Sequence, residues 1–245
     1  MIRAALLIFL TLGTAFGAGV TEESILFSGV RFRVVRVPAA RVQVVWKDEK
    51  GEPYRSFDKV QSAFSRKGQT VKFIMNAGIF EPGGIPSGLH VENQKTLHPL
   101  NLADAPGNFF LKPNGVLHTA SGVGQTEPAI IDAASFPRIE PAPKPGWAIQ
   151  SGPLLLIDGR RHPAFNQGSA SRLPRNGVGV DDEKRLVFAI TAKGEVVNFW
   201  NFAGLFLQLG CRNALFLDGD ISQMAVNPTS PVDSNLFGAM FVVAE

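Results

Sequence analysis

The sequence predicts an α+β (mixed α/β) fold, a strand-rich mixed sheet with a few packing helices in a single compact domain. Three observations predict it. Short apolar or alternating runs recur along the chain, punctuated by Gly, Asn and Asp turns. Only two segments carry helical periodicity, and these do not alternate with strands as a βαβ series requires. With 245 residues, 45% hydrophobic and 18% charged, the chain is long enough to bury its own core. Its single cysteine, Cys211, excludes an intrachain disulfide framework and a multi-cysteine zinc site.

Arg31 to Val37 (RFRVVRV) and Val42 to Trp46 (VQVVW) are β-branched and partly alternating, the pattern of half-buried strands. Ser56 is placed to cap a helix over Phe57 to Lys67, with Phe57, Val60 and Phe64 on one face and Gly68 just beyond its end. Val71 to Met75 is a short apolar strand. Asn108 to Leu111 and Val116 to His118 flank Asn114-Gly115, a pair that predicts a hairpin. Leu154 to Ile157 runs into a second turn at Asp158-Gly159. Gly177 to Val180 and Leu186 to Thr191 flank a third turn, Asp181 to Lys184. Asn198 is placed to cap a helix over Phe199 to Leu209, whose Phe199, Phe202, Phe206 and Leu209 form an apolar stripe ending at Gly210. Ala214 to Leu217 and Ala239 to Val243 read as buried strands. The Pro-rich stretch 141–146 reads as a rigid connector.

Residues 1–17, MIRAALLIFLTLGTAFG, have the form of a signal peptide. Arg3 supplies the positive start, Ala4 to Phe16 the apolar stretch, and Ala15 and Gly17 the small residues before a cut at Ala18. The domain is then 18–245, exported to the periplasm or secreted. The apolar stretch is shorter than the ~20 residues a membrane helix needs, and no later segment is apolar enough to span. The formal charge is +3, with no run of Lys or Arg to form a nucleic-acid stripe, so nucleic acid is not an expected partner. Nothing in the sequence specifies an oligomeric state.

The polar residues that could do chemistry stand immediately after apolar strands, where sheet-containing folds commonly bind ligands. Asn76 follows Val71 to Met75, and Ala77 and Gly78 then allow a ligand close to the backbone. Gln150 and Ser151 precede Gly152-Pro153. Arg175 and Asn176 open a glycine-rich strand, and a guanidinium there suits a phosphate or carboxylate. Asp218, Gly219, Asp220 and Ser222 close the run Ala214 to Leu217. Asp218 is placed for partial burial, hence for a shifted pKa and for acid/base or nucleophilic work. Each also has a plain structural reading: Asn76 and Asp218 as turn formers, Gln150-Ser151 as a closed loop, Arg175 in a surface ion pair. Together they supply one cation, carboxylates, and amide and hydroxyl groups suited to an anionic or phosphorylated carbohydrate. The four histidines show no metal-binding spacing, whereas Asp218 and Asp220 could chelate a divalent cation.

The ordered motifs MNAGIF, IPSGLHVENQ, GNFFLKPNGV, QSGPLLLIDG, RNGVGV with LVFAIT, and ALFLDGDIS resemble the phosphodiester glycosidase family, which contains the uncovering enzyme. The match runs from about Val71 to Met224. The resemblance implies an α/β fold with a mixed sheet and hydrolysis of the bond between an anomeric carbon and a phosphodiester oxygen. It implies Asp218 and Arg175 as catalytic residues, and Asn76, Gly78, Gln150, Ser151, Asn176 and Ser222 as substrate-binding ones. Asp220 and Ile221 stand where the uncovering enzyme is glycine-rich, so its substrate sugar is not carried over. The expected partner is a sugar-1-phosphodiester or an anionic glycan in cell-envelope or exopolysaccharide metabolism, with no cofactor required. Two alternatives remain: a non-catalytic periplasmic module that binds anionic polysaccharide, and a metal-dependent phosphodiesterase with Asp218 and Asp220 as ligands.

Overall fold

The computed structural model describes residues 14–16, 19–122, 125–139 and 145–245. The predicted leader lies outside the described residues except for Thr14–Phe16, and so does the Pro-rich connector except for Pro145 and Gly146. The fold is α+β and strand-rich. Its largest sheet has eight strands, from edge to edge Thr14–Phe16, Val20–Phe27, Val30–Pro38, Arg185–Thr191, Asn176–Val180, Asn213–Asp218, Leu154–Ile157 and Arg160–Arg161. A five-stranded sheet is ordered Gln125–Asp132, Gly115–Gly122, Trp147–Ser151, His90–Glu92, Lys95–His98, and a four-stranded one Met224–Val226, Val71–Asn76, Met240–Ala244, Gln43–Val45. Every pairing in them is antiparallel, so the strands are mixed in sequence order and not in direction.

Side-chain alternation explains the layers. Phe188, Ile190, Leu215 and Leu217 of the large sheet face Phe73, Met75, Phe241 and Trp147 of the two smaller sheets in the main core. Val187, Ala189, Ala214 and Phe216 alternate to the opposite face, where helix α2 (Phe199–Gln208) packs through Phe202, Leu205 and Phe206. Ile74, Met240 and Val242 face outward against Phe57, Val60 and Phe64 of helix α1 (Phe57–Arg66). Burial on both faces is why the central strands read as continuous apolar runs rather than strict alternation.

Asn198 caps α2 as its sequence predicts, its side-chain oxygen accepting the Asn201 N–H at 2.9 Å. Ser56 does not cap α1: its hydroxyl turns to Asp58, and the Phe57 N–H is taken at 3.0 Å by Ser234 Oγ. The Asp158-Gly159 turn joins two paired strands with both residues at positive φ, +48° and +78°, as a two-residue hairpin demands. The Asn114-Gly115 hairpin does not form. Asn108–Phe110 is a 3-10 turn, and Gly115–Gly122 pairs instead with Gln125–Asp132. The Asn114 amide is spent on the Phe109 carbonyl at 2.9 Å, which folds residues 109–114 into a compact loop.

Candidate functional site

Three strand ends from two sheets are tied together by two asparagines. Asn76 ends the Val71–Asn76 strand; Asn176 opens Asn176–Val180, and Asp218 closes Asn213–Asp218. Asn176 Nδ2 donates to Asn76 Oδ1 at 2.9 Å, and Asn176 Oδ1 accepts the Asp218 N–H at 2.7 Å. The Gln223 N–H also donates to Asn76 Oδ1, at 2.9 Å. Two donors on that oxygen fix the orientation of the Asn76 amide, leaving its buried Nδ2 with no partner. A register shift between Asn176 and Gly177 pairs Asn176 with Asp218 while Gly177 pairs with Phe216, the irregularity of a β-bulge beside the site.

The apolar run before Asp218 is buried on both faces and carries the carboxylate to the edge of the core. Burial raises its pKa to about 6; Asp220 pushes the same way, and the Gly219 N–H, 2.7 Å from Oδ1, pulls back. The group is therefore mostly ionised at neutral pH and protonated in mild acid. The chain then turns sharply, with the Ser222 N–H on the Gly219 carbonyl at 2.9 Å. Ser222 Oγ is buried and unpartnered.

Arg175 is not in a surface ion pair. Its side chain is 1% exposed, clamped by Nε to the Val197 carbonyl at 2.9 Å and by Nη2 to the Ser171 carbonyl at 3.4 Å. Its guanidinium carbon lies 3.6 Å from the centre of the Phe199 ring. That clamp orients the fork and leaves Nη1 buried with nothing to bond. Burial lowers its pKa to about 10, partly opposed by Asp220, so the cation persists at neutral pH. Arg175 and Asp218 share no hydrogen bond or ion pair among the described contacts. The loop carrying Gly219 nonetheless abuts the segment before Arg175: a Cβ on Gly219 would stand 3.7 Å from the Pro174 carbonyl.

Gln150 and Ser151 have structural duties. Gln150 Oε1 accepts the Leu89 and Asn101 N–H groups at 3.0 and 2.9 Å, and Nε2 donates to the Asn101 carbonyl at 2.6 Å. This fully buried amide holds the 99–102 segment in place and has little capacity left for a sugar. Ser151 Oγ donates to the Leu217 carbonyl at 3.2 Å and accepts the Ile79 N–H at 3.3 Å, linking the segments after Asn76 and before Asp218. Gly78 sits against them: a Cβ would meet the Gln150 carbonyl at 2.9 Å and Ser151 Cβ at 3.0 Å. Its lack of a side chain therefore serves packing as well as any ligand.

Sequence reasoning missed Phe199, the platform under Arg175, which its periodicity marks only as part of the apolar stripe of α2. It also missed Gln223, whose Oε1 accepts the Asn235 N–H at 2.6 Å and so ties the 219–223 turn to the next loop. His90 and His162 lie on other parts of the fold from these strand ends, each with one buried ring nitrogen unpartnered, His90 Nδ1 and His162 Nε2. His90 is buried against Glu92 at 2.6 Å, and His162, lowered in pKa by burial, stacks on Phe165. Among the described residues, no three His, Cys, Asp or Glu side chains are grouped to hold a metal ion.

A family model described as "Phosphodiester glycosidase" matches residues 69–240. The Escherichia coli (strain K12) "Uncharacterized protein YigE" is 32% identical over 196 residues, spanning 80% of this chain and 73% of that protein. Among solved structures, the catalytic domain of zebrafish N-acetylglucosamine-1-phosphodiester alpha-N-acetylglucosaminidase, auto-inhibited by its pro-peptide, superposes with a TM-score of 0.64 at 14% identity. That match covers 91% of this chain and 81% of the zebrafish one. A hypothetical protein from Synechocystis gives a TM-score of 0.56, also at 14% identity, over 92% of this chain and 61% of the other. At such identities the structural matches speak to the fold.

Proposed function

This chain belongs to the phosphodiester glycosidase family, and on that premise we propose that it hydrolyses the bond between an anomeric carbon and a phosphodiester oxygen. The observation that carries the reading is a set of three buried polar atoms without partners, Asn76 Nδ2, Arg175 Nη1 and Ser222 Oγ. Buried polar atoms are ordinarily paired, so three orphans on the segments flanking Asp218 mark places for substrate atoms. Asp218 beside them has its pKa raised toward neutrality.

The Arg175 guanidinium, oriented by two carbonyls and a ring, binds the phosphate and stabilises the charge that grows on the bridging oxygen as the bond breaks. Phosphate leaves readily, so little general acid is needed. Asp218 in its carboxylate form acts either as nucleophile at the anomeric carbon or as base for the attacking water, facing an oxocarbenium-like centre. Asn76 and Ser222 orient sugar hydroxyls or phosphate oxygens. Asn176 positions Asn76 and the Asp218 backbone, and Gln150 and Ser151 hold the surrounding loops. The new bond joins water oxygen to the anomeric carbon, the bond from that carbon to the phosphate oxygen breaks with its electron pair staying on the phosphate, and the proton water gives up is taken by the Asp218 carboxylate and passed to solvent.

We place this reaction outside the cytoplasm, in envelope or exopolysaccharide metabolism, on the strength of the leader-like residues 1–17. No helix among the described residues is long and apolar enough to cross a membrane. No cofactor enters the mechanism; a divalent cation on Asp218 and Asp220 belongs to the phosphodiesterase alternative. The test is a panel of UDP-sugars and synthetic sugar-1-phosphodiesters, with Asp218→Asn as control and EDTA in parallel. Free sugar released by the wild type and not by the variant, indifferent to EDTA, supports the reading. Saturable binding of a phosphorylated glycan without turnover points instead to a binding module.

A further inference from the structure

Asp220 takes no part in the mechanism above, yet it is an exposed carboxylate in the tight turn between Asp218 and Ser222. It forms no ion pair among the described residues, although Arg33, Arg36, Lys112 and Arg185 all find carboxylates. The turn that carries it abuts Pro174, immediately before Arg175. Its charge acts on both Arg175 and Asp218. The buried cation Arg175 therefore has, against the segment that leads into it, a turn whose exposed carboxylate, Asp220, lies one glycine away from Asp218.

That balance bears on the charge of what binds. A phosphodiester carries one negative charge. Hydrolysis at the anomeric carbon turns it into a phosphomonoester, which above about pH 6 loses a second proton and becomes a dianion. One guanidinium suffices to neutralise the monoanion, but the extra charge of the dianion meets the Asp220 carboxylate with no second buried Lys or Arg among the described residues to offset it.

Resting on the glycosidase reading of this site, we propose that Asp220 sets its charge selectivity, favouring the phosphodiester that enters over the phosphomonoester that leaves. It is a specificity-determining residue: it speeds product departure and disfavours free phosphomonoesters. The repulsion is between partly solvated charges, so its effect is about two- to fivefold in relative affinity, and salt screens it.

The test uses a pair of compounds that the proposed reaction cannot cleave, phenyl phosphate and methyl phenyl phosphate, titrated calorimetrically at about pH 8 into the wild type and Asp220→Asn. The inference predicts that the variant gains about two- to fivefold in affinity for phenyl phosphate relative to the diester. Raising the salt concentration should shrink the difference between the two proteins. An unchanged monoester-to-diester ratio, a ratio shift indifferent to salt, or no saturable binding of either compound to either protein overturns it. Because neither probe is turned over, failure here is distinct from failure of the glycosidase reading, which the sugar-release panel judges separately.

Discussion

Replacing Asp218 by asparagine should make the protein more stable while removing its activity. In the fold, burial lifts the carboxyl from its ordinary value near 3.8 to about 6. Between those two values the folded protein keeps a proton that the unfolded chain has lost, so stability falls as pH rises through that window. Above about pH 6 the loss is complete, and at 1.36 kcal/mol per pH unit it amounts to about 3 kcal/mol. Allowing for the side chain's partial exposure, about 2–3 kcal/mol is the working figure. An amide keeps the oxygen that accepts the Gly219 N–H and carries no charge, so the variant escapes the penalty. For a protein of this size, that gain is a rise in Tm of about 4–12 °C at pH 8. Near pH 4, where the wild-type carboxyl is itself protonated, the two proteins should melt together. Calorimetric or circular-dichroism melts of both from pH 4 to 8, beside sugar-release assays, measure the effect. An inactive variant that is no more stable at pH 8, or whose advantage is the same at every pH, would mean that the buried Asp218 carboxylate carries no such penalty. The outcome expected is a site that gives up stability for a functional charge.

Three further predictions follow from the same geometry. In the wild type, kcat/KM should fall below about pH 6 with unit slope, because the carboxylate of Asp218 in the free enzyme must be ionised to act; a pH–rate profile flat down to pH 4.5 contradicts that role. Arg175→Lys should lower kcat/KM by about 10²-fold or more, since an ammonium cannot hold the Val197 carbonyl, lie flat on Phe199 and still present a free donor; steady-state kinetics decide it. Gly78→Ala drives a methyl against the Gln150 carbonyl and Ser151 and should cost about 1–3 kcal/mol, read as a lowered urea midpoint at unchanged m-value.

Local signals in the sequence were enough for the elements that local physics decides. The 3.6-residue stripe of α2, the Asn198 cap and Gly68 after α1 all lie within a few residues of the structure they specify. Asn114-Gly115 misled because the signal for a two-residue hairpin was outweighed by the Asn114 bond to Phe109 and by a longer partner strand at Gln125–Asp132. Ser56 fails as a side-chain cap because its hydroxyl is taken by the Asp58 carboxylate, while the Phe57 N–H is met by the Ser234 hydroxyl, 177 residues away in sequence. At the site, strand ends singled out Asn76, Arg175 and Asp218, but not what each side chain does. Gln150 and Asn76 are both amides two residues before a glycine, yet one is consumed by the backbone of a neighbouring loop and the other keeps a free donor. Their difference rests on contacts 49 and 100 residues away, which local patterning does not encode.

In the proposed reaction water attacks the sugar carbon and not the phosphorus. Turnover of a cleaved sugar-1-phosphodiester in ¹⁸O-enriched water tests it directly, by mass spectrometry of the released phosphomonoester. Cleavage at the anomeric carbon predicts a phosphomonoester without the label, its bridging oxygen inherited from the substrate. A labelled phosphate would mean attack at phosphorus and would contradict the assignment of Asp218 to an oxocarbenium-like centre.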